Sequence, residues 1–191
     1  MECYGLDRFS EDIDLDSEHK GLIQIVDDFC EKQHFTYRVD KDTDTVERCF
    51  VDYGGKKPLK IEASFRRKKI PISEITNING ICVYTLKTIA LQKCNAYMDR
   101  DRIRDLYDIT FICKNFYDDL PSVHKQILQN ALQYKGLEQF DFLVSNLNRD
   151  ELIDVDKLAD DFLAVYDKLG LLYTEEELKN FTDREAEEEE R

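Results

Sequence analysis

The chain has 191 residues, of which 42% are hydrophobic and 36% charged, and a formal net charge of −14 at pH 7. This length allows a buried core in one domain or in two small ones. The acidic balance argues against a general nucleic-acid-coating protein, whose affinity would depend on neutralised phosphates. No apolar run approaches the roughly 20 residues of a membrane-spanning helix, and no secretory signal precedes the six scattered cysteines. We therefore expect a cytoplasmic protein with reduced thiols and no membrane partner.

The first predicted strand lies within the segment Arg8-Phe9-Ser10-Glu11-Asp12-Ile13-Asp14-Leu15-Asp16. Because polar and apolar residues alternate, Ile13 and Leu15 are expected on a buried face. The opposite face then carries Ser10, Asp12, Asp14 and Asp16. Three acids on one side of a short strand repel one another, which indicates a bound cation, and carboxylate oxygens suit Mg²⁺ or Mn²⁺. From the residues alone, a solvated strand edge whose acids only aid solubility stays open as the alternative.

One helix and three strands are predicted next. Apolar residues recur at intervals of three and four from about Ser17 to Gln33, which predicts an amphipathic helix with Asp16 or Ser17 as its N-cap. The three strands are expected at Phe35–Lys41, Val46–Tyr53 and Leu59–Phe65, the last two joined by a turn at Gly54-Gly55.

The last of these strands carries Glu62 on its polar face, between Lys60 and Ser64. A lone acid in such a place is usually only solvated. Glu62 is also the single acid within residues 56–69, a segment that contains seven lysines and arginines. In so acidic a chain this segment forms a local concentration of positive charge.

From Tyr84 onward the pattern is helical. The first two helices are expected at Leu86–Met98 and Arg104–Asn115. A third runs from Pro121 to about Tyr134 and is closed by Gly136, and a short fourth contains Leu137, Phe140, Val144 and Leu147. A fifth runs from Val155 to Leu169 and is closed by Gly170, and a last helix follows a capping box at Thr174. We therefore predict an α+β fold with an α/β domain at 1–85, a helical bundle at 86–183 and a disordered acidic tail at 184–191.

Two groups of charged residues stand out in the helical half. Lys93 falls within the apolar stripe of its helix, so its amine either meets a polar group there or reaches the surface along its aliphatic stem. In the next helix Arg104, Asp105 and Asp108 share one face, and Arg104 and Asp108 can pair four residues apart. An ordinary helix salt bridge explains that spacing equally well.

These motifs together resemble the AbiEii/AbiGii-type nucleotidyltransferases, a bacterial toxin family within the polymerase-β-like superfamily. The resemblance rests on RFSEDIDLD, on the lysine-bearing helix with Lys93, on Arg100 and on RDLYDI, and it spans roughly residues 4 to 112. The family usually has Glu before the lysine, where this chain has Gln92, and Ile109 replaces the final Leu of the last motif.

The resemblance implies a nucleotidyltransferase-like mixed sheet and an activity. Such an enzyme transfers a nucleoside monophosphate from a nucleoside triphosphate to an RNA or protein acceptor. By analogy Asp12, Asp14 and Glu62 would bind Mg²⁺ or Mn²⁺, and Glu62 would serve as ligand or base for the acceptor hydroxyl. The implied catalytic set is Asp12, Asp14, Glu62, Asp105 and Asp108. The implied nucleotide-binding set is Arg8, Ser10, Lys93 and Arg104, with Asp105 and Asp108 orienting Arg104.

Two further expectations concern partners. The basic segment at 56–69 flanks the predicted active strand, so an RNA acceptor could contact it, with Arg66 to Lys69 holding phosphates. The alternative is a basic hairpin end that meets the protein's own acidic surface. Family resemblance also suggests a cognate antitoxin.

The start of the chain gives a second reading of its function. The family places a Gly-Gly or Gly-Ser motif on a helix ahead of the RFSEDIDL strand, where it holds triphosphate. Only seven residues precede Arg8, so we expect an incomplete triphosphate cradle and poor catalysis. The alternative function is a catalytically impaired domain that binds nucleotide, RNA or protein.

Overall fold

The computed structural model describes residues 1–8, 10, 12–145 and 153–172, which fall into two compact units, Met1–Thr85 and a second that begins at Leu86. The fold class is α+β, as predicted. Among the described residues the first unit holds a four-stranded mixed sheet, a two-stranded sheet and one α-helix. The described part of the second unit holds four α-helices.

The larger sheet has the strand order β1-β4-β3-β2, and β1 therefore lies at its edge. Strand β1 runs parallel to β4, whereas β4 with β3 and β3 with β2 are antiparallel. This arrangement places the acidic strand directly beside the strand that carries Glu62. The elements of this sheet and its helix are β1 (Asp12–Asp16), α1 (Leu22–Gln33), β2 (Thr36–Asp42), β3 (Val46–Asp52) and β4 (Leu59–Ser64).

The smaller sheet is a hairpin that was not among the predicted elements. Strands β5 (Ile75–Ile78) and β6 (Ile81–Tyr84) are antiparallel, with Ile78 opposite Ile81. The two residues between them, Asn79 and Gly80, have φ angles of 52° and 87°. Left-handed backbone at both positions is what a two-residue hairpin turn requires, and Asn-Gly between apolar residues is a local signal for it.

Helix α1 packs on β2 and β3 and closes the core of the first unit. It begins at Leu22, later than predicted, and neither Asp16 nor Ser17 caps it; Ser17 Oγ instead donates to the carbonyl of His19. The buried carboxylate of Glu47 on β3 performs the capping. It accepts hydrogen bonds from the backbone N–H groups of Gly21, Leu22 and Ile23, with N···O distances of 3.1, 2.7 and 3.4 Å. The core residues are Leu22, Val26, Cys30, Cys49, Val51, Ala63 and Phe65.

The expected buried face of β1 is not buried. Ile13 is 43% exposed and Leu15 is 44% exposed. The prediction was wrong because alternation shows only that two faces differ, not that an element covers the apolar one. Helix α1 lies over the other end of the sheet, on β2 and β3.

The helices of the second unit follow the predicted order. Gly136, with φ 69° and ψ −177°, interrupts α4 where the sequence predicted a helix end. Phe162 of α5 stacks on Phe140 with ring centroids 4.5 Å apart and also contacts Tyr166. The four helices are α2 (Leu86–Asp99), α3 (Ile103–Phe116), α4 (Ser122–Ser145) and α5 (Val155–Lys168).

Some predictions lie outside the described residues: the helix position of Leu147, the capping box at Thr174 and the acidic tail at 184–191. All six cysteines are described, and none forms a disulfide. No described helix is both long enough and apolar enough to cross a membrane.

Candidate functional site

The parallel pairing of β1 with β4 aligns their polar faces. Asp12 is the register partner of Lys60, and Asp14 is the register partner of Glu62. Register partners in neighbouring strands point to the same side of a sheet. The two acids of the Asp-x-Asp motif therefore share one face with a lysine and with the third predicted metal ligand.

Lys60 bridges the two acids of β1. Its Nζ lies 2.9 Å from Asp12 Oδ2 and 3.4 Å from Asp14 Oδ1. The lysine side chain is 24% exposed, whereas the aspartate side chains are 44% and 68% exposed. Burial lowers the pKa of the Lys60 ammonium, but the hydrogen bond with Asp12 and the charge of Asp14 outweigh it, so that the pKa is raised overall. The ammonium therefore remains charged between the carboxylates.

Glu62 is held by a cation from the other side. Arg48 of β3, its register partner, donates from Nε to Glu62 Oε2 over 2.5 Å and from Nη1 to Asp40 Oδ2 over 3.1 Å. These hydrogen bonds, with Glu62 the larger contributor and Asp40 next, raise the pKa of the Arg48 guanidinium. The structure thus places Glu62 beside Asp14 but gives it a partner that the sequence did not predict.

Asp16, the last acid of the motif, has a structural partner. The hydroxyl of Tyr84, at the end of β6, donates to Asp16 Oδ2 over 2.5 Å, and Arg67 Nη1 donates to the same hydroxyl over 3.3 Å. Burial, followed by the hydrogen bond with Asp16, raises the pKa of Tyr84 to about 12. Arg67 also forms an ion pair with Glu74 at 2.8 Å. Asp16 therefore ties the small hairpin to the large sheet.

The donor set fits a magnesium ion that is bound mainly through two carboxylates. Asp12 and Asp14 converge on a single cationic group, so the position between them already suits positive charge. Magnesium in nucleotide enzymes is commonly held by one or two carboxylates together with substrate phosphates and water. Within the part of the chain that the structure describes, no group of three His, Cys, Asp or Glu side chains converges on one point.

The remaining predicted residues of the first unit lie next to this face. Ser10 Oγ donates to the carbonyl oxygen of Asp12 over 3.1 Å. Arg8 and Ser10 line a shallow groove at the start of β1. Its other lining residues are Glu2, Asp12, Ile13, Tyr53 and Leu59.

In the second unit the predicted acids are buried and paired. Asp108 is 1% exposed and lies 2.8 Å from Lys93 Nζ, and the Lys93 side chain is 30% exposed. Asp105 accepts two hydrogen bonds from Arg100, from Nε over 2.6 Å and from Nη2 over 2.8 Å. The hydrogen bond with Asp105 raises the pKa of Arg100. The first pair joins the middle of α2 to α3, and the second joins the residue after α2 to α3. The four members were among the residues singled out in the sequence, but Asp105 was expected to orient Arg104 and instead binds Arg100.

The basic segment at 56–69 is only partly available to a partner. Lys60 and Arg67 are engaged by the protein's own acids, in line with the alternative reading of this segment. Arg66, Lys68 and Lys69 are exposed. An RNA contact there stays a prediction.

Comparison with known proteins supplies the family. The sequence model described as "Nucleotidyl transferase AbiEii toxin, Type IV TA system" matches residues 2–191. The fold is similar to that of an H. pylori protein described as a candidate nucleotidyltransferase, with 26% identity, a TM-score of 0.66 and coverage of 90% of this chain and 84% of that one. It is also similar to JHP933 from Helicobacter pylori, with 24% identity, a TM-score of 0.66 and coverage of 97% and 84%. No curated protein matches the chain.

Proposed function

Because the chain belongs to the AbiEii nucleotidyltransferase toxin family, we propose that it transfers a nucleoside monophosphate from a nucleoside triphosphate to an RNA or protein acceptor in a Mg²⁺-dependent reaction. The observation that carries this proposal is the convergence of Asp12 and Asp14 on one cation, on the face that they share with Glu62. That face presents hard oxygen ligands on a regular strand, which holds them in place better than a loop would.

The residues of this face have separate roles in the proposal. Asp12 and Asp14 hold the metal, and their exposure leaves room for phosphate oxygens beside them. Glu62 serves as ligand or base for the acceptor hydroxyl. Arg48 fixes the orientation of the Glu62 carboxylate through Oε2. When bound, Mg²⁺ would neutralise the charge that develops on the phosphates during transfer. Arg8 and Ser10 contact the nucleotide from the groove at the start of β1.

The second unit contributes cations in this proposal. Asp108 holds the amine of Lys93, and Asp105 holds the guanidinium of Arg100, so both positive groups are oriented before an anion arrives. Lys93 then binds nucleotide phosphate as a compact charge. The resemblance adds Arg104 to the nucleotide-binding residues. Support for these roles comes from the family's motif order and from the buried anchors beneath the two cations.

The proposed partners follow from the same family. Exposed Arg66, Lys68 and Lys69 support an RNA acceptor, since each can neutralise a phosphate. Toxins of this class are paired with an antitoxin, and we propose a cognate antitoxin for this chain.

A labelling experiment tests the function. The protein is incubated with each α-labelled nucleoside triphosphate, Mg²⁺ or Mn²⁺, and a bacterial extract that contains RNA and protein. We expect label to appear in one acceptor, and nuclease or protease treatment of the product identifies its class. The double variant Asp12→Asn, Asp14→Asn should lose transfer, whereas Asp44→Asn, an exposed acid in the turn between β2 and β3, should retain it.

One observation favours a second candidate, a domain that binds nucleotide without transferring it. The carboxylates of the site are already satisfied by Lys60 and Arg48, which is the arrangement expected of a site that no longer needs a metal. Nucleotide binding that does not require a divalent metal, without label transfer to any acceptor, would favour this function. Transfer that depends on Asp12 and Asp14 would exclude it.

A further inference from the structure

Lys60 is absent from the motifs that identify the family in this sequence, yet it touches both acids of the Asp-x-Asp motif. We propose that Lys60 is a positioning residue that acts as the built-in counter-ion of Asp12 and Asp14. It occupies the place of the divalent cation in the metal-free protein and leaves when the cation arrives with nucleotide phosphates. This inference rests on the proposed metal-binding role of Asp12 and Asp14.

The geometry of the strands makes Lys60 a fixed feature of the site. Its backbone pairs in register with Asp12, so the two stems run side by side. The ammonium then reaches past Asp12 to Asp14, two residues along, at 2.9 and 3.4 Å from the two carboxylates. Only 24% of the lysine side chain is exposed. A charge held this way is better shielded from solvent than an ordinary surface lysine, and its nearest neutralising groups are the two acids.

An ammonium and a divalent cation cannot share this position. The same carboxylate oxygens would have to bind both, and two positive charges within a few ångströms of each other repel strongly where water is partly excluded. Metal entry therefore requires Lys60 to move away. The cost of separating Lys60 from its acids lowers the apparent affinity for metal alone.

A nucleotide changes this balance because it brings negative charge. Once displaced, the Lys60 ammonium stays anchored through β4 on the same face, where the phosphates of a bound nucleotide would neutralise it. Metal and triphosphate should therefore bind cooperatively, with Lys60 exchanging its carboxylates for phosphate. Such coupling is reciprocal, so that each ligand raises the affinity for the other.

Mn²⁺ binding to the full chain tests the proposal without any reference to activity. The affinity for Mn²⁺ is measured by titration calorimetry or electron paramagnetic resonance, alone and with a non-hydrolysable nucleoside triphosphate analogue. Lys60→Met keeps the aliphatic stem and removes the charge. We expect it to bind free Mn²⁺ roughly three- to tenfold more tightly than wild type, because two partly exposed ion pairs no longer compete. The increase in Mn²⁺ affinity caused by the nucleotide analogue should shrink in this variant.

Two variants serve as controls. Lys60→Arg keeps a cation between the acids and should bind Mn²⁺ with an affinity close to that of wild type. Lys56→Met removes an exposed lysine from the turn before β4 and should also match wild type, which separates the local effect from a general change in charge. If Lys60→Met fails to fold, a Mg²⁺ titration of wild type followed through the Lys60 side-chain amine resonance gives the same answer. That resonance must shift as metal binds.

The outcomes separate this proposal from the proposed function. If Asp12→Asn abolishes Mn²⁺ binding but Lys60→Met binds Mn²⁺ no more tightly than wild type, the counter-ion role is wrong and the metal site stands. An unmoved Lys60 resonance has the same meaning. If Mn²⁺ binds equally to wild type and to the Asp12→Asn, Asp14→Asn variant, both proposals fail.

Discussion

The two units use their aspartates in opposite ways. In the first unit Asp12 and Asp14 are largely exposed, and the cation between them, Lys60, is the more buried partner. In the second unit Asp105 and Asp108 are almost completely buried, and their cations reach toward solvent.

This difference determines which partner of each pair can be exchanged. An exposed carboxylate can take a new cation without being drawn out of the core, so the first unit presents anionic oxygens. A cation on a buried carboxylate can accept a second anion while its anchor stays in place, so the second unit presents positive charge.

Breaking a buried pair should have the largest effect on stability. Asp108→Asn removes the charge of the buried partner and leaves the partly exposed Lys93 ammonium beside a neutral group. We expect a loss of about 2–3 kcal/mol in the free energy of unfolding. Denaturant titration measures it. Asp118→Asn is the matched control, because its Oδ2 lies 2.8 Å from Lys168 Nζ, the same distance as in the buried pair, while Asp118 is 78% exposed. Equal effects in the two variants would show that burial does not distinguish these pairs.

Glu47 in the first unit is buried, as are Asp105 and Asp108 in the second unit. Glu47→Gln keeps the shape of the side chain but removes the charge that faces three N–H groups of α1, and we expect a loss of about 1–2 kcal/mol. Thermal unfolding measures it, with Glu31→Gln at the exposed far end of α1 as control. A Glu47→Gln variant as stable as wild type would contradict the capping role.

Removing one acid of the candidate site should affect stability less. In chelator-treated protein Asp12→Asn or Asp14→Asn should change the free energy of unfolding by less than about 1 kcal/mol, since each ion pair with Lys60 is partly exposed. The same denaturant titration as for Asp108→Asn allows a direct comparison. A loss in the free energy of unfolding as large as that of Asp108→Asn would show that Asp12 and Asp14 have a structural role.

The last effect is absent at neutral pH and is confined to alkaline pH. The pKa of Tyr84 is raised to about 12 from an ordinary value of 10.0, so the folded state holds this proton more tightly than the unfolded state. Its contribution to stability is complete below pH 10 and is lost as pH rises toward 12. Tyr84→Phe should make the fall in stability over this range shallower, by at most about 1.4 kcal/mol per pH unit. An unchanged slope would exclude this proton as a contributor.

Local patterns predicted much of the fold. Apolar spacing predicted α2 from Leu86 and α5 from Val155, because a helix that packs on others must repeat its contacts every three or four residues. Alternation predicted β4 with Glu62 on its polar face. The Asn79-Gly80 turn was equally local and could have predicted the small hairpin.

The sequence did not predict which residues pair when they lie far apart in the chain. Nothing near Asp12 indicates that its neighbour is Lys60, because parallel strands are joined by a long connection and their register depends on the whole unit. The exposure of Ile13 depends on which strands α1 covers. In the second unit the resemblance implied that Asp105 orients Arg104, whereas Asp105 binds Arg100, which precedes α3.

The position of β1 at the edge of its sheet also bears on self-association. An edge strand offers unpaired backbone groups to another chain, and here it also exposes Ile13 and Leu15. Its acids oppose such pairing, because a second copy of the strand would bring like charges together. A divalent cation that neutralises those acids removes part of this protection. The acids that we propose as metal ligands should therefore also oppose aggregation of the metal-free protein through this edge, and metal without nucleotide should weaken that protection.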